Sequence, residues 1–284
     1  MGPRPRTPER IVIVGRGKAG GSLRAALRAA DVEVRCVSGR KPPAKKLAAT
    51  LVLVCVPDRE VSRVRVNVED DVLVCHVAGS LGLAALSARR RGVFHPLASL
   101  DGKHAVPRGC LCAFDADHDD DALRLARLAT RIGLVPCRVS DENRARYHAG
   151  AVIAANLATA LVHLGVKQLQ QAGIDVDVAR VSLARLLAST AARCEDQALA
   201  TALTGPVARH DAATVEAHLA AIDDASTQEV YRLLSLVLLD EVLAVPEASQ
   251  HPDNDDDKND DNNAGTLRRR LLRNALRHPT QIHD

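Results

Sequence analysis

Tryptophan is absent, and phenylalanine and tyrosine occur only twice each in 284 residues. A core in such a chain cannot lean on aromatic volume, so it must be built from Ala, Val and Leu. No stretch of about 18 uninterrupted apolar residues occurs, so no membrane span is expected. Charge of one sign is also scarce: the net charge of +3 is too small to argue for nucleic acid as the main partner. No apolar signal-peptide core follows MGPRPRTPER, which leaves the cytoplasm as the expected location. The cysteines (Cys36, Cys55, Cys75, Cys110, Cys112, Cys137 and Cys194) lack the paired CxxC spacing of zinc frameworks, and no metal is expected. They read as reduced structural thiols, with Cys110 and Cys112 alternating onto one face of a strand.

What is present is an alternation. Short β-branched runs, RIVIVG (10–15), VEVRCV (32–37), TLVLVCVP (50–57), DVLVCHVA (71–78), GVFHP (92–96), CLCAF (110–114) and LVPCRV (134–139), are separated by segments such as AGGSLRAALRAA and DDALRLARLATRIG. Several runs are continuously apolar, as strands buried on both faces of a sheet must be. Strand–helix alternation predicts an α/β, doubly wound, mostly parallel sheet over residues 9–140. After Ser140 the strand signal stops. One long helix is expected from Asp141 to a C-cap at Gly173, then three more, completing an all-α second domain over 141–245. Residues 246–284 read as a disordered acidic linker followed by a basic tail. The tail segment TLRRRLLRNALRH has the makings of a short basic amphipathic helix for a nucleic-acid or membrane-surface contact, but a tether whose acidic and basic halves partly neutralise each other is the better reading of its composition.

Val14-Gly15-Arg16-Gly17-Lys18-Ala19-Gly20 carries a GxGxxG that follows the first strand and opens a helix, the Rossmann-type dinucleotide-binding context. Gly15 would permit the tight turn, Gly17 would let the backbone approach a pyrophosphate, and Gly20 would allow close helix–strand packing. The helix start at Arg16, Lys18 and Ala19 offers N–H groups and positive potential to phosphates. At the end of the second strand an NAD-binding domain usually places a carboxylate. This chain has Ser38, Arg40 and Lys41 instead, which would attract a 2′-phosphate, so NADP is expected and NAD remains possible. Val56 and Pro57 leave the third strand at the same edge and should also line the cofactor.

Candidates for chemistry follow at that edge. Ser80 could polarise a substrate or cap a helix over LGLAALSARR. His76 lies inside its strand and reads as a satisfied core histidine. His95, at a strand end before Pro96, could shuttle a proton or simply be held by backbone groups. Within LTGPVARHD, Arg209 could grip a carboxylate or phosphate, or pair with Asp211 to cap the next helix. In YHAGAVIAAN, His148 and Asn156 fall within about 80° of each other at about 100° per residue, and Tyr147 sits beyond them as a packing residue.

VGRGKAG, HVAGS, FHPLASL, YHAGAVIAAN and LTGPVARHD together resemble Rossmann-like proteins that bear a C-terminal helical domain of unknown function. That group is similar to pyrroline-5-carboxylate reductases and the 6-phosphogluconate and β-hydroxyacid dehydrogenase superfamily. The resemblance spans about residues 10 to 245. It implies NAD(P) binding between the domains, reductase or dehydrogenase chemistry, and a homodimer formed through the helical domain. His95-Pro96 is similar to the His-Pro of prephenate dehydrogenase. β-Hydroxyacid dehydrogenases carry a catalytic lysine one turn before an asparagine. Asn156 matches that asparagine, Val152 stands at the lysine position, and His148 becomes the replacement candidate. The resemblance also implies glycine where this chain has His210.

The expectation is an NADP-dependent oxidoreductase moving a hydride to or from a small carbonyl, imine or hydroxyl substrate. His95 or His148 would handle the proton, Ser80 and Asn156 would polarise the substrate, and Arg209 would anchor an anion. The alternative is a non-catalytic NAD(P)-sensing protein.

Overall fold

The structure, a computed structural model, describes residues 9–40, 44–244 and 259–277. Contacts divide the chain into two units, Met1–Asn156 and Leu157–Asp284, a later division than the expected one after residue 140. All seven apolar runs form strands of one sheet: β1 Ile11–Val14, β2 Val34–Val37, β3 Leu51–Val54, β4 Leu73–His76, β5 Arg90–Pro96, β6 Leu111–Ala116 and β7 Val135–Arg138. Their order is β2-β1-β3-β4-β5-β6-β7. Pairing is parallel through β5, antiparallel between β5 and β6, and parallel again between β6 and β7. β1, β3 and β4 are buried along their whole length, which is why IVIV, LVLV and LVCH carry no exposed polar alternation.

One face of the sheet packs under α1, Lys18–Ala29, and α3, Asp119–Arg131. Leu23 and Leu27 of α1 and Leu125 and Leu128 of α3 meet Ile13, Leu53, Leu73 and the cross-strand pair Phe94 and Phe114 in a single core. The chain thus places both of its phenylalanines where one core needs volume. The other face is a valine layer, including Val14, Val52, Val54 and Val74. Only α2, Asp58–Val61, a 3₁₀ turn at Leu83–Ala85 and irregular chain cover it. The helix expected from Ser80 over LGLAALSARR does not form. The link from β4 to β5 is spent crossing the sheet, and the N–H of Leu83 is taken by the carboxylate of Asp141 at 3.0 and 3.2 Å.

Helical backbone runs from Asp141 to Gln171. It comprises α4, Asp141–Ala151, a π segment, Val152–Asn156, and α5, Leu157–Gln171. Gly173 ends it at φ +84°, and the N–H of Ile174 donates to Leu169 O at 3.0 Å. By length and composition this helix is apolar enough to cross a membrane, with 6 % of its apolar window buried. The expectation of no such segment rested on uninterrupted apolar runs, which the scattered charged residues of its first turns break.

The second unit continues with α6 Val176–Asp196, α7 Leu199–Ala202, α8 Ala212–Ala221, α9 Ala225–Val237, a π segment Leu238–Val242, and α10 Asn259–Arg277. Asp175, Asp211 and Asp224 cap α6, α8 and α9 through their side chains. Residues 259–277, expected as part of a linker and tail, are the main correction. They form α10, whose Leu272 and Leu276 are fully buried with Val207, Val215, Leu219 and Leu239. Its arginines serve the fold: Arg273 pairs with Asp240, and Arg269 donates to Leu239 O at 2.6 Å. A period of three to four between leucines gave α10 a buried stripe that composition alone hides. Residues 245–258, the bulk of the acidic linker, lie outside the described residues.

Candidate functional site

The order β2-β1-β3 makes the carboxyl end of β1 a topological switch point, where open α/β sheets bind ligands. Gly15 stands there at φ +121°, and a Cβ on it would lie 2.1 Å from Cys55 O. A Cβ on Gly20 would lie 2.3 Å from Gly15 O. Both glycines are therefore fixed by backbone sterics. Gly17 differs, because nothing lies within 4 Å of a Cβ built on it. That emptiness is a cradle a ligand can approach. Gly17 is also the N-cap of α1, with no side-chain cap and no acid in the first turn, so the first N–H groups of Lys18 and Ala19 are left to face solvent or ligand.

A cavity of about 880 Å³ opens over this turn. Of the residues expected to hold the cofactor, Gly15, Arg16, Gly17, Ser38, Arg40, Val56 and Pro57 line it, Lys18, Ala19 and Gly20 are not in its lining, and Lys41 lies outside the described residues. Three arginines that sequence reasoning passed over, Arg59, Arg63 and Arg65, line it too, with Glu60 between Arg59 at 3.6 Å and Arg63 at 3.3 Å. The signal was the cluster DREVSRVR directly after Val56-Pro57. The cavity is strongly cationic and has the size of a ligand pocket, which runs to roughly 300–1,000 Å³. A dinucleotide with phosphates on Gly17 and a charged end near Arg40 fits this donor set.

Further along the same edge, the strand ends assemble a second group. His76, fully buried at the end of β4, donates from Nε2 to Gly82 O at 3.1 Å and accepts from Ala78 N at Nδ1 at 3.2 Å. It is a structural pin for the loop after β4, and burial lowers its pKa. That loop carries Gly79. A Cβ there would fall 2.8 Å from His148 Nδ1 and 2.9 Å from both His95 Cε1 and Nε2, so the missing side chain lets two imidazoles face one another. α4 is tethered to the sheet at three places: Asp141 to Leu83, Arg144 Nη2 to Val139 O at 2.5 Å, and Tyr147 to His95 Nδ1 at 2.7 Å.

The site brings together His95 and His148 and adds Tyr147, expected only as packing. It also adds Arg144, which is 1 % exposed, with Nε 3.8 Å from Asp141 Oδ1 and neither Nε nor Nη1 hydrogen-bonded among the described residues. Burial, and then the neighbouring His148 and Arg144, push the His95 pKa down to about 4. Burial pushes that of Tyr147 up to about 12. Ser80 is exposed and donates to Asp58 Oδ2 at 3.2 Å rather than capping a helix. Asn156 ends the π segment with its side chain exposed. The wider π turn advances fewer degrees per residue than an α turn, so the 80° offset expected between His148 and Asn156 shrinks.

Arg209 lies in the second unit, exposed, lining an open cavity of about 420 Å³ with His210, Asp211, Arg268 and Leu271. Asp211 caps α8 by accepting from Thr214 N at 3.1 Å, and its hydrogen bonds to Thr214, with the neighbouring Arg209 charge, lower its pKa. His210 adopts φ +52°, the left-handed conformation that glycine enters without a Cβ penalty. All seven thiols are free; Cys55, Cys75 and Cys112 are buried, and burial raises the pKa of each. Among the described residues no three His, Cys, Asp or Glu side chains gather as metal ligands.

Residues 110–237 match the family described as Domain of unknown function (DUF2520). No curated protein matches the chain. Among solved structures, a proposed NADP oxidoreductase of Bacteroides fragilis is 22% identical with a TM-score of 0.63, over 80% of this chain and 96% of that one. A Thermotoga maritima protein is 20% identical with a TM-score of 0.62, over 82% and 98%. A semialdehyde dehydrogenase NAD-binding protein from Cupriavidus necator, solved with calcium and NAD, is 16% identical with a TM-score of 0.53, over 79% and 95%. At these identities the likeness is one of fold: a Rossmann-like, mostly parallel sheet followed by a helical C-terminal region, the architecture of nucleotide-binding oxidoreductases.

Proposed function

We propose that the protein is an NADP-dependent oxidoreductase acting on a small carbonyl, imine or hydroxyl compound. The observation that carries this reading is a single sheet edge bearing both parts of such a site. The Gly15–Gly20 turn and its arginine-lined cavity stand at one end, and the facing His95 and His148 stand farther along. A bound nicotinamide cofactor would supply or accept the hydride. Gly17 and the start of α1 would hold its phosphates, and Arg40, with Arg59 or Arg63, would hold the 2′-phosphate that a carboxylate would repel. His95 and His148 would bind the reacting oxygen or nitrogen and handle its proton.

Dissociation constants for NADPH and NADH test the cofactor assignment. NADPH should bind at least tenfold tighter, and Arg40→Ala should remove most of that advantage, because one charge-assisted contact contributes about 1.5–3 kcal/mol. A clear NADH preference would sink it. A panel of carbonyl and imine compounds followed by nicotinamide absorbance then tests turnover, with His95→Ala and His148→Ala as controls. Val152 at the lysine position of the resemblance favours a second reading, a protein that senses NAD(P) without turnover. Tight cofactor binding with no turnover across the panel would support that reading.

We also infer a homodimer built on the helical unit. Leu157 and Leu161 of α5, and Val178, Val181, Leu186 and Leu187 of α6, are exposed to between 38% and 60%. Large aliphatic side chains exposed on both members of a packed helix pair are what a second copy would cover. The free thiols agree with a reducing, cytoplasmic setting.

A further inference from the structure

Both tyrosines of the chain hydrogen-bond to a histidine with rings edge-to-face, but in unlike places. Tyr231 joins His218 across α8 and α9 in an exposed position. Tyr147 joins His95 across α4 and β5, half-buried, with ring centroids 5.6 Å apart and an oxygen–nitrogen distance of 2.7 Å. A neutral imidazole has one N–H and one acceptor nitrogen, so the shared hydrogen bond selects the tautomer. If Tyr147 O–H donates to Nδ1, the ring proton sits on Nε2. If Nδ1–H donates to the phenol oxygen, the half-buried O–H is left without an acceptor among the described residues. The first arrangement pairs the more acidic donor, the phenol O–H, with the more basic acceptor, the imidazole nitrogen, and leaves Nε2–H facing the site; the second leaves the phenol O–H itself without an acceptor.

The Nε2 side of the ring looks across Gly79, 2.9 Å from the point where a side chain would begin, toward His148 Nδ1. The groups facing His95 are Tyr147, His148 and Arg144 from α4, Asp58 from α2, and His76 from β4. Two are histidines and one is a buried guanidinium. Burial and that set disfavour an imidazolium at His95.

We propose that Tyr147 is a positioning residue, which fixes His95 as the neutral Nε2–H tautomer and so makes it a hydrogen-bond donor to the substrate. The proposal rests on the reading that His95 faces substrate, and it names the role of that ring. A neutral N–H is a donor, so it meets an acceptor: the oxygen of a carbonyl or the nitrogen of an imine in the oxidised compound, and the corresponding oxygen or nitrogen of the reduced one. His95 then works by polarising that group, as a fixed N–H dipole, without first becoming charged. Tyr147, which packing arguments alone would treat as a filler at the head of α4, sets which nitrogen of His95 meets the substrate.

The test reads ring-nitrogen chemical shifts in the full chain, labelled isotopically at histidine, at neutral pH. His95→Gln identifies the His95 signals by their loss. The wild type should show one His95 tautomer, with a protonated Nε2 and an acceptor Nδ1, and should stay neutral on acidification until the pH nears 4. In Tyr147→Phe the His95 shifts should move toward the average of the two tautomers, while His218, paired with Tyr231, keeps its own. A proton on Nδ1 in the wild type overturns the proposal, as does a wild-type His95 ring in a folded Tyr147→Phe. Should that variant fail to fold, the wild-type tautomer decides alone. Neither readout needs turnover or cofactor, so a failure of the oxidoreductase reading would show in the binding and panel assays and not here.

Discussion

At the scale of single residues, three glycines of the first unit do different work despite sharing a motif or an edge. Gly15 and Gly20 are demanded by backbone atoms of the protein itself, whereas Gly17 has nothing of the protein against it. Gly17→Ala therefore separates folding from binding. Its φ of −75° suits any residue, so the urea midpoint should imply a stability change within about 1 kcal/mol. NADPH affinity should fall at least tenfold as the methyl group enters the phosphate cradle. Unchanged affinity would remove the cradle from the proposed site. Gly79 is held open by side chains, and its neighbour His95 gives a pH signature. The folded pKa of His95 lies at about 4 against an ordinary 6.5, and that of His76 is lowered as well. In the unfolded chain both rings take up protons first as pH falls. The stability of the neutral buried rings is thus fully present above pH 6.5 and is lost as pH falls from 6.5 toward 4. Urea midpoints measured across that window should decline, and His95→Gln should flatten the decline; a flat wild-type profile would contradict the burial of these rings.

At the scale of elements, the strands were legible because a strand buried on both faces has only one reading, an unbroken Val/Leu/Ile run. The glycine turn was legible because it sits between such a run and a helix. Tyr147 was not, since its partner His95 lies on β5 and a helical wheel for α4 contains no information about β5. The π segment at Val152–Asn156 was invisible for a related reason: nothing in VIAAN breaks a helix, so the extra residue in the turn follows from packing rather than propensity. α10 is the clearest failure of composition as a guide. Five arginines in TLRRRLLRNALRH read as a solvated tail, yet Leu272 and Leu276 are fully buried and Arg232 Nε donates to Leu276 O at 2.7 Å. Leu276→Ala should accordingly cost about 2–5 kcal/mol, the range for truncating a packed leucine. Chemical denaturation followed by helical circular dichroism measures it. A cost near zero would return residues 259–277 to the status of a tether.

At the scale of the whole molecule, the helical unit has a core too small for its apolar surface. Its buried cluster gathers around α8, α9 and α10, while α5 and α6 pack mainly on each other and leave Leu157, Val178 and Leu186 more than half exposed. Exposed leucines scattered singly need no explanation, but several large aliphatic side chains exposed on each of two paired helices do. A second copy presenting the same side chains would bury them symmetrically, since a two-fold interface places one patch against itself. Light scattering after size exclusion should then give twice the 30.3 kDa chain mass. Val178→Glu with Leu186→Glu should leave secondary structure intact, because both side chains point outward, and should shift the mass to a monomer. A wild type that stays monomeric at micromolar concentration would rule out the dimer. If that monomer instead partitioned onto lipid vesicles, the apolar helix Asp141–Gln171 would have to be read as a membrane element.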